Sequence, residues 1–227
     1  MARHRDSSAR PRKHRVFLVE DHPVTRHGFA QLLNQEADLE VCGQAGTAAR
    51  ALVEIDVARP DLVIADISLV GKSGLELIKD LARRHARLPI LMLSTHDESL
   101  YAERALRAGA RGYIMKQEPM EHVMDAIRRV LRGEIYLSEA MRAKLVHKHL
   151  RGASAVTLSD IEQLSDRELE VFRLLGRGLG TRQIAGELHL SVSTIETYRG
   201  QLKSKLGLTR APELVRRAVE WVHSQDS

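Results

Sequence analysis

The stretch Asp61-Leu62-Val63-Ile64-Ala65-Asp66 decides how the rest of the chain is read. Four apolar residues, two of them β-branched, follow Pro60 and close on a carboxylate, and a loop containing Gly71 and Gly74 comes next. A short apolar run between turn signals predicts a strand buried on both faces, and hence central in a parallel sheet. Asp66 then stands at the sheet's carboxyl edge, where open α/β folds bind their ligands. A carboxylate held there beside a metal ion has the chemistry of a nucleophile towards phosphorus. Taken alone, Asp66 reads equally well as a turn residue or the cap of the next helix, so the neighbouring strands have to decide.

Working outward, strand and helix signals alternate over residues 15–133. Val16-Phe17-Leu18-Val19 is a strand ending at Glu20-Asp21, and Thr25, Phe29, Leu32 and Leu33 follow at helical spacing. Leu39 to Ala45 is a second strand, and Ala48, Ala51, Leu52 and Ile55 mark the helix before Pro60. After the Asp66 strand, Leu75, Ile78 and Leu81 form a helical stripe. Pro89-Ile90-Leu91-Met92-Leu93 then makes a fourth strand ending at Ser94-Thr95. Tyr101, Ala105 and Ala108 mark a helix that Gly109 is placed to terminate. Gly112-Tyr113-Ile114-Met115 is the fifth strand, ending at Lys116, and Val123, Ile127, Val130 and Leu131 give the fifth helix. Five βα units predict a doubly wound, five-stranded parallel sheet with helices on both faces. Right-handed crossovers place every strand's carboxyl end on one edge.

That edge gathers Glu20, Asp21, Asp66, Ser94 and Lys116 into one cleft. Clustered carboxylates repel one another unless a cation sits among them. Hard oxygen ligands suit Mg²⁺, which keeps waters that a phosphate oxygen can displace. Asp66 can then attack a phosphoryl donor in line, with Lys116 and the metal neutralising the phosphoryl oxygens and the Ser94 hydroxyl donating to one of them. Each residue also has a plainer reading: Asp21 as a helix cap near His22-Pro23, Ser94 as an ordinary strand-end hydroxyl, Lys116 as a solvated lysine. Their joint occurrence at successive strand ends favours the site.

The pattern Glu20-Asp21, Asp66, Ser94, Tyr113-x-x-Lys116 resembles the receiver domain of bacterial two-component response regulators across residues 15–133. The resemblance implies phosphoryl transfer from a sensor histidine kinase to Asp66. It also implies a metal held by Glu20, Asp21, Asp66 and the backbone carbonyl of Ser68. Ser94 and Tyr113 become a switch pair, the hydroxyl drawn to the phosphate and the ring swinging inward behind it, so that the phosphate shifts a two-state population. The family usually carries Met-Pro where this chain has Leu69-Val70. That change loosens the loop and bears on dephosphorylation rate, while removing no chemical group.

Composition agrees with a soluble regulator. The 227 residues are 43% hydrophobic and 29% charged. No apolar run approaches the roughly 20 residues of a membrane span, and the start lacks a signal peptide, so a cytoplasmic protein with no membrane partner is expected. The lone Cys42 reads as a structural thiol. His147 and His149, two apart, make a poor metal pair. Residues 1–14 carry Arg3, Arg5, Arg10, Arg12 and Lys13 against Asp6 alone, and are expected to be a disordered basic tail.

Residues 134–157 read as a linker with a connecting helix marked by Ile135, Leu137, Met141 and Leu145; it gives way to a flexible joint at Arg151-Gly152-Ala153-Ser154-Ala155. Over residues 158–225 the pattern turns all-helical. Ser165-Asp166-Arg167-Glu168 is a capping box, with Leu169, Phe172, Leu175 and Val171 as core stripe. Gly176-Arg177-Gly178-Leu179-Gly180 follows a helix rather than a strand, so it reads as a stop and tight turn and not a nucleotide loop. A short helix from Thr181 precedes one capped by Ser191. In the latter, Ile195, Tyr198, Leu202 and Leu206 share a face opposite Ser193, Glu196, Thr197, Gly200 and Ser204, with Arg199, Lys203 and Lys205 on the flanks. Short polar side chains between cations are what a helix in the DNA major groove requires, though a plain solvated helix has the same spacing.

The joined motifs Leu164-Ser165-Asp166-Arg167-Glu168, Gly178-x-x-x-Arg182-Gln183-Ile184-Ala185, Leu190-Ser191-x-x-Thr194-Ile195-Glu196-Thr197-Tyr198 and Lys205-Leu206-Gly207-Leu208 resemble the LuxR-type helix-turn-helix of the NarL/FixJ regulators. DNA contacts then fall to Thr181, Arg182, Ser193, Thr194, Glu196, Thr197, Arg199, Gly200, Lys203 and Lys205. Family members often have Lys at the Glu196 position and His at the Tyr198 position. The glutamate weakens phosphate affinity but can accept from a cytosine amino group. The partners implied are a histidine kinase, double-stranded promoter DNA, a second copy of the chain on phosphorylation, and RNA polymerase. Two rivals remain: a receiver that works without phosphorylation, and an aspartyl-phosphate phosphatase. The latter needs a second carboxylate close after Asp66, where the chain has Ile67, Ser68, Leu69 and Val70.

Overall fold

The computed structural model describes residues 12–150, 160–161 and 163–225. Its first part runs β1 (His14–Val19), α1 (Pro23–Gln35), β2 (Leu39–Ala45), α2 (Ala48–Ala58), β3 (Leu62–Ala65), α3 (Gly74–Arg84), β4 (Ile90–Ser94), α4 (Glu98–Ala108), β5 (Gly112–Met115) and α5 (Met120–Leu131). The five strands form one parallel sheet in the order β2-β1-β3-β4-β5. β3 is central and buried throughout, as its sequence predicts. Alternate strand residues feed two cores: Val16, Leu18, Leu62, Ile64, Leu91, Leu93 and Ile114 pack with residues of α1 and α5. Phe17, Val19, Val63, Ala65, Ile90, Met92 and Tyr113 pack on the other side with residues of α2, α3 and α4. Each such aliphatic side chain contributes roughly 1.5–3 kcal/mol on burial, so both faces anchor the carboxyl edge.

Local chemistry sets the helix ends. The Ser73 hydroxyl accepts from the Glu76 amide while the Glu76 carboxylate accepts from the Ser73 amide, starting α3. Gly109 closes α4 at φ +116°, a region open to glycine at little cost. His22 caps α1 without a side-chain bond, so Asp21 is not the cap of that helix.

The tail and linker expectations divide. Residues 1–11 and the joint at 151–155 lie outside the described residues. Within the expected tail, however, Lys13 donates to the carbonyls of Glu36 and Leu39 and His14 already belongs to β1, because both lie beside the start of β2. The linker is also less separate than its composition suggests. Tyr136 bridges to Gly112 at the sheet edge, and Leu137 and Met141 are buried in the receiver-side core. They lead into α6 (Glu139–Leu150).

The last part comprises α7 (Asp166–Gly176), α8 (Thr181–Glu187), α9 (Val192–Lys205) and α10 (Ala211–Gln225). Ser165 and Glu168 form the expected capping box. Sequence periodicity predicts one core stripe on α7, but Arg167, Glu168 and Glu170 are buried as well as Leu169, Val171 and Phe172. α7 packs against α9 and α10 on one side and lies against the sheet's carboxyl edge on the other. Across that junction Arg104 donates to the carbonyls of Leu164 and Ile161 and to Asp166, Lys79 pairs with Asp166 at 3.0 Å, and Arg167 donates to the Gly71 carbonyl. No helix among the described residues is long and apolar enough to cross a membrane.

Candidate functional site

Backbone bonds carry the sheet's register past the strand ends and line up the site. The Asp66 amide donates to the Val19 carbonyl (2.9 Å), the Glu20 amide to Ala45 (3.0 Å) and the Lys116 amide to Ser94 (2.8 Å). Glu20, Asp66 and Lys116 are thereby brought together: the ammonium lies 2.5 Å from Glu20 Oε2 and 2.9 Å from Asp66 Oδ2. The other oxygen of Asp66 accepts from the Ile67 amide at 2.7 Å. Gly74 makes room behind this loop, since a Cβ there would lie 1.9 Å from the Asp66 carbonyl oxygen.

Burial pushes the Asp66 carboxyl above its ordinary pKa and the neighbouring Glu20 adds to the rise, while Lys116 and the Ser94 hydroxyl oppose it. Burial alone would lower Lys116, yet the charges of Asp66 and Glu20 outweigh that and raise it. Lys116 is therefore a fixed cation rather than a solvated lysine.

The carboxylates offer a place for a cation. Ligand atoms of Glu20, Asp21 and His22 lie within 4.8 Å of one another. Asp66 is not in that set, because Lys116 Nζ stands between it and Glu20. One oxygen of Asp21 is buried with no hydrogen bond, although His22 Nδ1 comes within 2.7 Å outside hydrogen-bonding geometry. An orphaned carboxylate oxygen on Asp21, which lines a cavity with Asp66 and Ser68, fits a hard divalent cation.

Ser94 and Tyr113 are both fully buried and meet at His96. His96 Nδ1 lies 3.0 Å from Ser94 Oγ, and the Tyr113 hydroxyl donates to the His96 carbonyl at 2.8 Å. The tyrosine ring thus already occupies an inward position. Burial, followed by the charges of Arg173, Arg177 and Lys116, lowers His96 to about 3.

At the second candidate site, Ser193, Glu196, Thr197, Gly200 and Ser204 of α9 are exposed together, as is Arg182 on α8. Thr194 instead joins the Ser191 cap. Thr181 donates to Glu196 at 2.9 Å and accepts from Arg199 at 2.5 Å, so Arg199 ties α8 to α9. Lys205 lies 2.6 Å from Glu168 and is likewise engaged inside the domain. The polar face is exposed, with Glu196 on it held by Thr181, and two of its expected flanking cations also have protein partners.

Comparison with known proteins matches both halves. Residues 16–128 match the response regulator receiver domain, and residues 162–218 match the luxR family of bacterial regulatory proteins. The oxygen regulatory protein NreC of Staphylococcus aureus is 35% identical over 210 residues, spanning 91% of this chain and 97% of that one. The chain belongs to the LuxR-type two-component response regulators. Among solved structures, a LuxR-family response regulator from Aurantimonas sp. SI85-9A1 is 28% identical with a TM-score of 0.57, covering 61% of this chain and 99% of that one. The response regulator ChrA is 30% identical with a TM-score of 0.50 over 92% and 98% of the two chains.

As a response regulator the chain pairs a receiver with a DNA-binding helix-turn-helix. Sequence reasoning passed over His96, Arg167 and Arg173 at this site. His96 lies two residues beyond Ser94 but past the end of β4, in a bend that strand periodicity does not reach. The two arginines were out of reach as well, because only the docking of α7 brings them to the cleft.

Proposed function

We propose that Asp66 accepts a phosphoryl group from a sensor histidine kinase and that this controls promoter binding by the helix-turn-helix. The observation that carries it is the Lys116 ammonium held between Glu20 and Asp66 at the ends of separate strands. Asp66 Oδ attacks phosphorus in line, the phosphorus–nitrogen bond to the donor imidazole breaks, and the imidazole leaves with its electron pair. Lys116 and the Ser94 hydroxyl face the phosphoryl oxygens as charge develops on them. Glu20 and Asp21, with Asp66 and the Ser68 carbonyl beside them, would hold Mg²⁺, which would supply further positive charge there. Ser94 then follows the phosphoryl group, and Tyr113 keeps the inward position behind it.

The receiver occupies 15–133, the linker 134–157 and the DNA reader 158–225, with a basic tail before them. On DNA, Thr181, Arg182, Ser193, Thr194, Glu196, Thr197, Arg199, Gly200, Lys203 and Lys205 form the interface, base edges facing the short side chains. Two copies joined on phosphorylation read paired half-sites about one helical turn apart and present RNA polymerase with a fixed arrangement. The protein acts in the cytoplasm as a regulator rather than as an enzyme.

Mass spectrometry after incubation with acetyl phosphate and Mg²⁺ tests the acceptor: wild type gains one phosphoryl group and Asp66→Asn gains none. A labelled Asp66→Asn variant places the acceptor elsewhere. DNA binding is expected to weaken steeply with salt, and Lys203→Ala to reduce the salt slope by about one. Wild-type slope in that variant removes Lys203 from the phosphate contacts.

A further inference from the structure

Arg173 of α7 reaches across the domain junction and places Nη2 3.0 Å from His96 Nε2. A guanidinium has donors only, so Nε2 must be the acceptor and the ring must be neutral with its proton on Nδ1. The Nδ1–H group then donates to Ser94 Oγ, 3.0 Å away, which leaves the serine's own hydrogen for the Asp66 side. The result is a directed chain from Arg173 through His96 to Ser94, whose hydroxyl neighbours the Asp66 carboxylate. The His96 carbonyl also holds the Tyr113 hydroxyl, and its ring meets Tyr101 edge-on at 4.8 Å. One residue therefore touches both switch side chains on one side and the DNA-binding domain on the other.

We propose that His96 is the positioning residue through which the state of Asp66 reaches the DNA-binding domain, with Arg173 as its partner there. The inference rests on Asp66 being the acceptor. Drawing Ser94 Oγ onto a phosphoryl oxygen takes away the acceptor of a buried N–H, and a buried donor without a partner is costly. His96 follows the serine by turning its ring, and Nε2 then leaves Arg173. The closed arrangement is already poised for release, because Arg173 Nε is buried with no partner. Phosphoryl binding and the docking of α7 thus compete for one imidazole, and the competition is reciprocal. It follows that loosening Arg173 makes the acceptor site easier to fill.

The test uses the full chain with Mg²⁺ and beryllofluoride as the phosphoryl mimic. Arg173→Met is expected to tighten beryllofluoride binding about tenfold, the scale of one charge-assisted hydrogen bond. In a His96→Gln background the same change is expected to have no further effect. Ring ¹⁵N shifts, assigned to His96 by their loss in His96→Gln, should show a proton fixed on Nδ1 in free wild type and a change of tautomer pattern on beryllofluoride addition. A purely structural histidine would not change its tautomer pattern. Unchanged affinity in Arg173→Met, or ring nitrogens that ignore beryllofluoride in wild type that has bound it, overturns the relay. Wild type that binds no beryllofluoride overturns the acceptor assignment instead, and the relay falls with it.

Discussion

Replacing Lys116 with methionine removes the one ammonium that stands between Glu20 and Asp66 and leaves its carbon stem. Both carboxylates are nearly buried, at 6% and 4% exposure, and the ammonium contacts each within 2.9 Å. Losing one partner of a buried ionic cluster leaves uncompensated charge, which typically costs about 3–5 kcal/mol. For a protein of this size each kcal/mol moves Tm by roughly 2–4 °C, so the receiver transition in EDTA should fall by roughly 6–20 °C. Magnesium ought to restore part of the loss, because a cation that binds only the folded state adds about 2.7 kcal/mol at a hundred times its Kd. Thermal unfolding of the full-length variant and wild type, each in EDTA and in excess Mg²⁺, reads all four numbers. A variant that melts with wild type in EDTA, or one that magnesium fails to raise, would refute the view of Lys116 as the internal cation of an acidic cleft.

Two further outcomes are expected. His96 is held at about 3 by burial, below its ordinary 6.5. The unfolded chain therefore binds a proton that the folded one refuses, and stability is lost as pH falls from about 6.5, with a slope approaching about 1.4 kcal/mol per pH unit. Urea unfolding at a series of pH values should show this slope flattened in His96→Gln; identical slopes would mean the imidazole is not buried neutral. Gly74→Ala drives a methyl group into the Asp66 carbonyl, so it should cost about 3 kcal/mol and slow acetyl phosphate labelling. Wild-type stability in that variant would show that the loop after Asp66 can move aside.

The order of elements, the central place of β3 and the gathering of Glu20, Asp66, Ser94 and Lys116 on one edge were legible in the chain itself. Short apolar runs alternating with helical stripes, and right-handed crossovers, depend on local pattern, and together they admit few topologies. The capping box at Ser165 and the glycine stop at Gly109 follow from residue chemistry within a single turn. The match to the LuxR-type regulators bears out the fold class and the family. Tertiary structure alone decided which charges are spoken for. Lys13 looks like part of a basic tail but is held by carbonyls at the end of α1 and the start of β2, and Lys205 looks like a phosphate ligand but closes on Glu168. It alone revealed that α7 buries Glu170 and sends Arg173 to His96. Side chains distant in sequence acquire partners only when whole elements dock, and a linear pattern carries no record of that docking.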